Sequence, residues 1–536
     1  MKLTATSYHE LSPRAVFATM AGVMIAMLMA SLDQTIVGTA MPRIISELKG
    51  FQHYSGVITA YMIAATSVLP IAGKLSDIYG RKLFLLFGVA WFVVASALCG
   101  VASSMVQLVI YRALQGVGAG IMQTMAFTTI ADLYPPAKRG KVMGWMASVF
   151  GFASVAGPLI GGYLTDGPGW RYVFYVNFPI GIAALLILFF FFPHVKPHKA
   201  KDFRIDYLGS ITLVAALVPF LLALNWGGRD YPWNSPVIVG LATAGIFIGV
   251  IFFMVEVRAP HPVLSLQLFK NRIIAVALGS SSLIAVTMFG VTIFIPLFVQ
   301  SVLGESATAS GKVLMPMTLS LLLTAIFAGQ LITRTGQYRY FAIFGSAMSA
   351  LGVFLLSRMD MNVSYLTVVR NIVIAGIGLG ATMPVFNLAV QNAVDINFVG
   401  AATSMVQFTR SIGGALGVAI FGSVLINSFT PAFHERLSPH IMAELTPEQR
   451  AVFDNPQTYM RGSDININMM FTNKLQGKII EDNFRRAARA ALAEALNRVF
   501  LIGAFLLFVA TLLTFLLKEI PLRKTNNPRE MAPETL

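Results

Sequence analysis

Fourteen times along the chain, about twenty residues pass with almost no charge, and charged or turn-forming residues gather between these runs. As a helix, about 20 apolar residues cross about 30 Å of hydrocarbon, so the pattern predicts fourteen transmembrane helices. In the first half the windows lie near 15–40, 54–75, 83–103, 105–131, 142–164 and 171–193. Two more lie near 206–226 and 236–256, and the last six near 273–300, 312–332, 340–358, 364–390, 401–427 and 498–517. An even number of crossings leaves both ends of the chain on one side. The loops on that side carry Arg81 and Lys82, Lys138, Arg139 and Lys141, Lys196 through Arg204, Arg258, Lys270 and Arg272, Arg334 and Arg339, and Arg523 and Lys524. The opposite loops hold little more than Arg43, Lys49, Arg171, Arg229, Lys312 and Arg358. Lysine and arginine accumulate in cytoplasmic loops, which assigns both termini to the cytoplasm.

The runs also repeat. Gly73-Lys-Leu-Ser-Asp-Ile-Tyr-Gly80 returns as Gly329-Gln-Leu-Ile-Thr-Arg-Thr-Gly336, displaced by 256 residues, and Pro42 meets Pro296 at 254. Arg112 with Gly118 and Gly120 resembles Arg370 with Gly376 and Gly378. Three matches in order at nearly one displacement indicate two related halves, a construction that puts a transporter's site at the repeat interface. Six spans fill 15–204, so the displacement leaves room for two further spans between the halves. The expected fold is an all-α integral membrane protein: two six-helix pseudo-repeats with two extra helices between them. Its parts are an N-terminal bundle at 1–204, linking helices at 205–260 and the first five helices of the C-terminal bundle at 261–427. An outer-side loop at 428–497, a last span at 498–518 and a polar tail at 519–536 follow. Within that loop Phe484 to Leu496, with Arg485, Arg486 and Arg489 among alanines and leucines, reads as an amphipathic helix in the membrane interface. A cap over the exit or a partner site is the alternative.

Composition agrees with this picture: of 536 residues, 56% are apolar and 12% charged, and the mean hydropathy is +0.72. The net charge of +15 lies mostly in the loop clusters, so it sets orientation and does not imply a nucleic-acid partner. A single cysteine, Cys99, excludes an internal disulfide and a paired-cysteine metal site. The first apolar run has no small-residue cleavage site and is read as a retained span.

Against this background two charges stand out. Asp33 lies inside the first run and Arg112 inside the fourth. A carboxylate at the bilayer centre costs about 2.5 to 3.5 kcal/mol on insertion scales, so it faces a bundle interior and binds a proton, an ion or a cation. Counted from the outer ends of their spans, Asp33 is about 14 Å deep and Arg112 about 11 Å, so the two share a level. If the helices adjoin, attraction by the guanidinium and the penalty of a buried charge oppose each other, which is the balance a protonation switch needs. The alternatives are an acid held by hydroxyls and an arginine bonded only to carbonyls. On the assumed cytoplasmic side, Gly73 permits close helix approach, Gly80 suits a tight turn, and Asp77, Arg81 and Lys82 are placed for charge-assisted contacts. Span five carries small residues at helical spacing, Gly157, Gly161 and Gly162, with Pro158 allowing a kink.

The stretch from Gly73 to Lys82 resembles the signature of the major facilitator superfamily, G-x-L-x-D-x-x-G-R-K. Gly157-Pro158-Leu-Ile-Gly161-Gly162 resembles its antiporter motif, with Gly151 two places further from the Gly-Pro pair than usual and Ala153 in the expected position. Leu32 to Val37, Trp170 to Gly181, Leu268 to Arg272 and Phe408 to Gly417 are similar to the fourteen-helix drug:proton antiporters of that superfamily. The resemblance implies a multi-pass protein of a bacterial cell membrane that exchanges protons for lipophilic drugs or related amphipathic compounds, with Asp33 and Arg112 as the proton-coupling pair. It also implies that Asp132 joins Asp77 and Arg81 in a cytoplasmic gate. The expected partners are small lipophilic substrates, protons and membrane lipids, with no nucleic acid, no cofactor beyond the proton gradient, and a monomeric state. Candidate substrate contacts are Gln34, Tyr61, Gln115 and Gln123 in the first half and Gln300, Asn387, Gln391, Gln407 and Arg410 in the second. In the repeat Asp33 falls on Thr287 and Asp77 on Thr333, so coupling is expected in the first half.

Several classes are disfavoured. None of the Gly-Lys pairs is followed by Ser or Thr, so no phosphate-cradling loop of an ATP-driven pump is present. A membrane enzyme lacks a nucleophile–base pair, and a channel does not call for a repeat with an intramembrane acid and arginine. The rivals on the same scaffold are a lipid or lipopeptide transporter and a proton-coupled importer.

Overall fold

In hydrocarbon every backbone N–H and C=O must be paired within its own segment, so each apolar run becomes a helix. The computed structural model describes residues 11–48, 54–193, 206–228, 230–305, 307–395, 398–436 and 474–523. Among them fourteen helices are long and apolar enough to cross a membrane, and no strand occurs beyond an isolated bridge between Gly227 and Tyr231. In the first half these are α1 Pro13–Leu48, α2 Tyr54–Tyr79, α3 Arg81–Gly100, α4 Met105–Leu133, α5 Pro136–Asp166 and α6 Tyr172–Phe191. Then come α7 Tyr207–Trp226 and α8 Pro236–Arg258. The second half comprises α9 Arg272–Leu297, α10 Ala307–Thr335, α11 Arg339–Leu356, α12 Tyr365–Asn392, α13 Val399–Arg436 and α14 Lys474–Phe515. Local chemistry starts them: Ser104, Asp206, Ser235, Asn271 and Ser364 cap α4, α7, α8, α9 and α12 with their side-chain oxygens.

In the first group α1 packs on α5 and α6, α2 on α4, and α3 on α4 and α6. In the second α9 packs on α13 and α14, α10 on α12, and α11 on α12 and α14. Glycines make the close contacts. Gly116 and Gly120 of α4 rest on the Tyr61 and Ala65 backbone, and Gly376 and Gly380 of α12 rest on that of Met317 and Leu321. Gly118 meets Gly88 as Gly378 meets Gly345. These contacts pair the glycines at 260 residues, two more than the register read from the sequence. At 260 Arg112 falls on buried Ile372, and Arg370 is exposed and, among the described residues, bonded to its neighbour Asn371 alone. The expected match of Arg112 with Arg370 is therefore corrected.

The two groups meet along two seams, α2 with α13 and α5 with α10, while α7 lies on α8, α2 and α13. Gly80 marks one end of the bundle and Trp170 the other.

The layout differs from the expectation near the end of the chain. Helix α13 continues past 427 to Arg436, and α14 is one helix of 42 residues from Lys474. The stretch Phe484 to Leu496 is continuous with α14 and packs one face on the protein. Phe484, Ala487, Ala488, Ala491 and Leu492 are buried, Phe484 meets Phe433 edge to face at 5.2 Å, and Asn497 donates to the Met359 carbonyl at 2.7 Å. Its alanine face packs on the ends of the second group, and its arginines cover the rim. The cluster from Lys196 to Arg204, most of the loop at 428–497 and the tail beyond 523 lie outside the described residues.

Candidate functional site

Asp33 is fully buried, and three side chains donate to it. Arg112 Nη1 reaches Oδ2 at 2.5 Å, Gln115 Nε2 reaches Oδ1 at 2.8 Å, and Asn177 Nδ2 reaches Oδ1 at 2.9 Å. Each is a donor, the environment of an ionised carboxylate. Arg112 also donates to Gln115 Oε1 at 2.7 Å and lies 4.2 Å over the Tyr61 ring. Asn177 donates to Ser96 Oγ at 3.0 Å, and Ser96 donates to the Phe174 carbonyl at 2.9 Å. Cys99 donates weakly to Gln115 Oε1 at 3.5 Å. Four helices, α1, α3, α4 and α6, thus converge on one carboxylate.

Two candidates change place. Gln115 and Tyr61 belong to this network: Gln115 is three residues after Arg112 and shares its helix face, and Tyr61 forms the floor beneath the guanidinium. Asn177 and Ser96 were missed. Asn177 stands in the stretch from Trp170 to Gly181 noted above, the one signal that points to it. Gln34, next to Asp33, is exposed, and Gly38 one turn on has nothing within 4 Å of its β position.

At the Gly80 end the two groups touch. Gly80 has a φ of 95°, a turn that a side chain would strain. Arg81 pairs with Asp77 and donates from Nε to Asp132 Oδ2 at 3.0 Å, so the three gate residues do meet. Asp77 Oδ2 in turn accepts from the Ala401 backbone of α13 at 3.2 Å. A β-carbon at Gly73 would come within 2.5 Å of Ser404 Oγ and 2.9 Å of the Gly400 carbonyl. Lys82 reaches α6. Its Nζ donates to the carbonyls of Phe189 and Phe192 at 2.8 and 2.6 Å, the unpaired carbonyl end of α6, where a cation is favoured.

The other seam closes at the same end. Gly140 and Gly329 leave no room for a side chain between α5 and α10, and the Lys141 backbone donates to Thr333 Oγ1 at 3.2 Å. Arg139, seemingly a loop charge, is 2% exposed and donates to the carbonyls of Ala131 and Tyr134 and to Gln391 Oε1 of α12. Gln391 donates to the Phe127 carbonyl and to Thr403, which makes it a tie between the groups.

Helix α5 packs on α1 through Gly157, against Thr35, and Gly161, against Thr39 and Ile36. Gly162 faces open space, Pro158 is exposed within the helix, and the displaced Gly151 meets Leu322 of α10. The motif's glycines thus serve two neighbours. In the second group Asn387 and Arg410 line an inner cavity, and Gln407 is buried one turn before Arg410. Gln123 is half-buried and Gln300 exposed. At the Trp170 end Glu47 accepts from Trp170 Nε1 at 2.9 Å and pairs with Arg171, whose hydrogen bond holds its carboxyl below the ordinary 4.5.

Fourteen spans, twelve of them in two groups joined along two seams, with an acid and an arginine buried together in one group, define a polytopic membrane transporter. The chain belongs to the Major Facilitator Superfamily, whose family model matches residues 23–418. It is 35% identical over 513 residues to the multidrug transporter protein MdtP of Bacillus subtilis, covering 94% of this chain and 93% of the relative. To multidrug resistance protein 3 of the same organism it is 40% identical over 417 residues, 78% of this chain and 81% of the relative. Among solved structures, the human organic anion transporter MFSD10 matches with a TM-score of 0.60 at 14% identity, covering 93% of this chain and 100% of that one. The proton:xylose symporter XylE matches with a TM-score of 0.58 at 13% identity, covering 94% and 96%. These two likenesses establish the fold.

Proposed function

We infer that the protein is a proton-coupled antiporter that exports lipophilic, drug-like compounds by alternating access. The observation that carries this reading is the Asp33 cluster: an acid at membrane depth, surrounded by donors, in a chain whose relatives are multidrug transporters. With the Gly80 end assigned to the cytoplasm by loop charge, the described state is shut toward the cytoplasm, and the proton arrives from outside. Protonation removes the charge that holds Arg112 and creates an O–H that needs an acceptor. Asn177 Oδ1, buried without a partner, supplies one once its amide turns. Release of Arg112 loosens α4 from α1 and favours the state open to the cytoplasm, where loss of the proton restores the pair and substrate is accepted. The described state is then the one that follows substrate release and precedes proton binding.

The test is transport by reconstituted protein under an imposed pH gradient. Dye efflux is expected to depend on the gradient and to stop with a protonophore. Asp33→Asn is expected to bind dye and lose proton-driven efflux; efflux undiminished in that variant refutes the mechanism. Movement of labelled lipid in place of dyes, or dye uptake with protons moving in the same direction, would assign the chain to one of the two rival classes.

A further inference from the structure

Helix α14 does not end in a free tail. Past Phe515 the chain turns, with Leu516 and Leu517 donating to the carbonyls of Leu513 and Thr514, and residues 518–523 run across the Gly80 end of the second group. Three positions of that group hold them. The Tyr338 hydroxyl donates to the Lys518 carbonyl at 3.2 Å and accepts from the Ile520 backbone at 3.1 Å. Glu519 Oε1 accepts from the Tyr338 backbone at 2.7 Å, at the start of α11. Asn392, 2% exposed at the end of α12, donates to the carbonyls of Ile520 and Pro521 at 3.5 and 3.2 Å and accepts from the Arg523 backbone at 3.3 Å. The Arg523 guanidinium donates to the Val394 carbonyl at 3.1 Å. A segment without regular structure is thereby fixed through its own backbone groups.

Its far end reaches the other group. The Arg523 carbonyl accepts from the Ala137 backbone of α5 at 3.2 Å. Ala137 lies in the first turn of α5, where an N–H has no partner inside the helix and needs one from elsewhere. Among the described residues this is the segment's one hydrogen bond to the first group, and it lies a turn from Gly140, where α5 and α10 touch. Arg523 and Arg139 carry like charges and act on each other, so the attraction resides in the carbonyl, and the guanidinium's part is to hold that carbonyl in place. Tyr338, Asn392 and Val394 all belong to the second group. A movement of one group against the other therefore breaks the bond to Ala137 and spares the rest. We propose that residues 518–523 form a latch, built on the second group and closing on the start of α5, that holds the Gly80 end shut and sets how often it opens. This rests on the alternating-access reading above and adds a control on its cytoplasmic gate.

In a Cys99→Ala background, Ser404→Cys puts a reporter on the α2 and α13 seam, at a position 1% exposed beside Gly73, so it reads the opening of the gate and not the latch itself. Its rate of labelling by a maleimide is measured in nanodiscs. Ending the chain after Pro521 removes the latching carbonyl and leaves the bonds to Tyr338. Labelling is expected to rise about threefold to tenfold, the effect of one lost hydrogen bond. Ending the chain after Asn526 keeps the latch and is expected to leave the rate unchanged. An unchanged rate in the shorter chain, or the same rise in both, overturns the proposal. Should the shorter chain fail to fold, Asn392→Leu is read instead, with faster labelling as the supporting result and an unchanged rate as the overturning one. In the opposite sense, Ala137→Cys with Arg523→Cys is expected to stop dye efflux on oxidation and recover it on reduction, and cross-linked protein that exports at the full rate overturns the proposal. Faster labelling of the shorter chain without dye efflux by the wild type refutes the exporter reading alone, and efflux with unaltered labelling refutes the present inference alone.

Discussion

Asp33 takes hydrogen bonds from three side chains on two other helices, and one of them carries a full positive charge. Removing that charge leaves a carboxylate in a buried site with only amides around it. Arg112→Ala is therefore expected to lower stability by about 3 to 5 kcal/mol, the range found when a buried pair loses one partner. It is also expected to shift the dependence of efflux on external pH; thermal unfolding in detergent and efflux at stepped pH measure the two effects, and an unmoved pH profile would uncouple the residues. Glu47 does not confuse this readout. Its folded value lies below 4.5, so its contact with Arg171 is fully present above 4.5 and is lost only as pH falls through the lower folded value. At this scale charges in apolar runs were legible, and neutral groups were not. Asp33 and Arg112 each broke a run that had no other reason to contain them. Asn177 and Ser96 are ordinary polar residues near helix ends, and only their meeting across helices gives them a role. Arg139 misled in the opposite direction, because a buried tie between helices and a topological loop charge look alike along a chain.

At the scale of elements, hydropathy found all fourteen spans and misjudged where two of them end. Helices α13 and α14 extend beyond the apolar windows because burial there comes from packing between protein helices, which a charge-diluted segment can still achieve on one face. Ala488 faces inward and Arg486 outward. Ala488→Asp is expected to destabilise the protein by about 3 kcal/mol or more, as an unpaired charge in a packed site does, while Arg486→Asp stays within about 0.5 kcal/mol. Unfolding curves of the two variants make the comparison, and equal effects would return this segment to an interfacial helix. The register of the halves shows the same limit. Glycine spacing alone matched Gly118 to Gly376, whereas contacts with Gly88 and Gly345 match Gly118 to Gly378.

For the whole molecule, the conformational state was not legible at all. Which ends of two groups touch depends on pairs such as Gly140 with Gly329, nearly two hundred residues apart, and hydropathy carries no information on them. Under the alternating-access reading this contact opens and closes, which is testable, since the chain has one cysteine. In a Cys99→Ala background, Lys141→Cys with Thr333→Cys, two positions joined across this seam by a hydrogen bond, is expected to cross-link on oxidation, stop efflux and recover it on reduction. Cross-linked protein that still exports would exclude separation of α5 from α10 during transport.

Helix α7 touches α2 and α13, so it lies along one of the two seams, and Thr59 of α2 bonds to Asn225 of α7 at 3.4 Å. The α5 and α10 seam has no such cover among the described residues. Under the alternating-access reading, a rocking motion would therefore have unequal sides, one seam strapped by α7 and the other bare. The two groups thus have a front and a back, told apart by a single helix pair that belongs to neither.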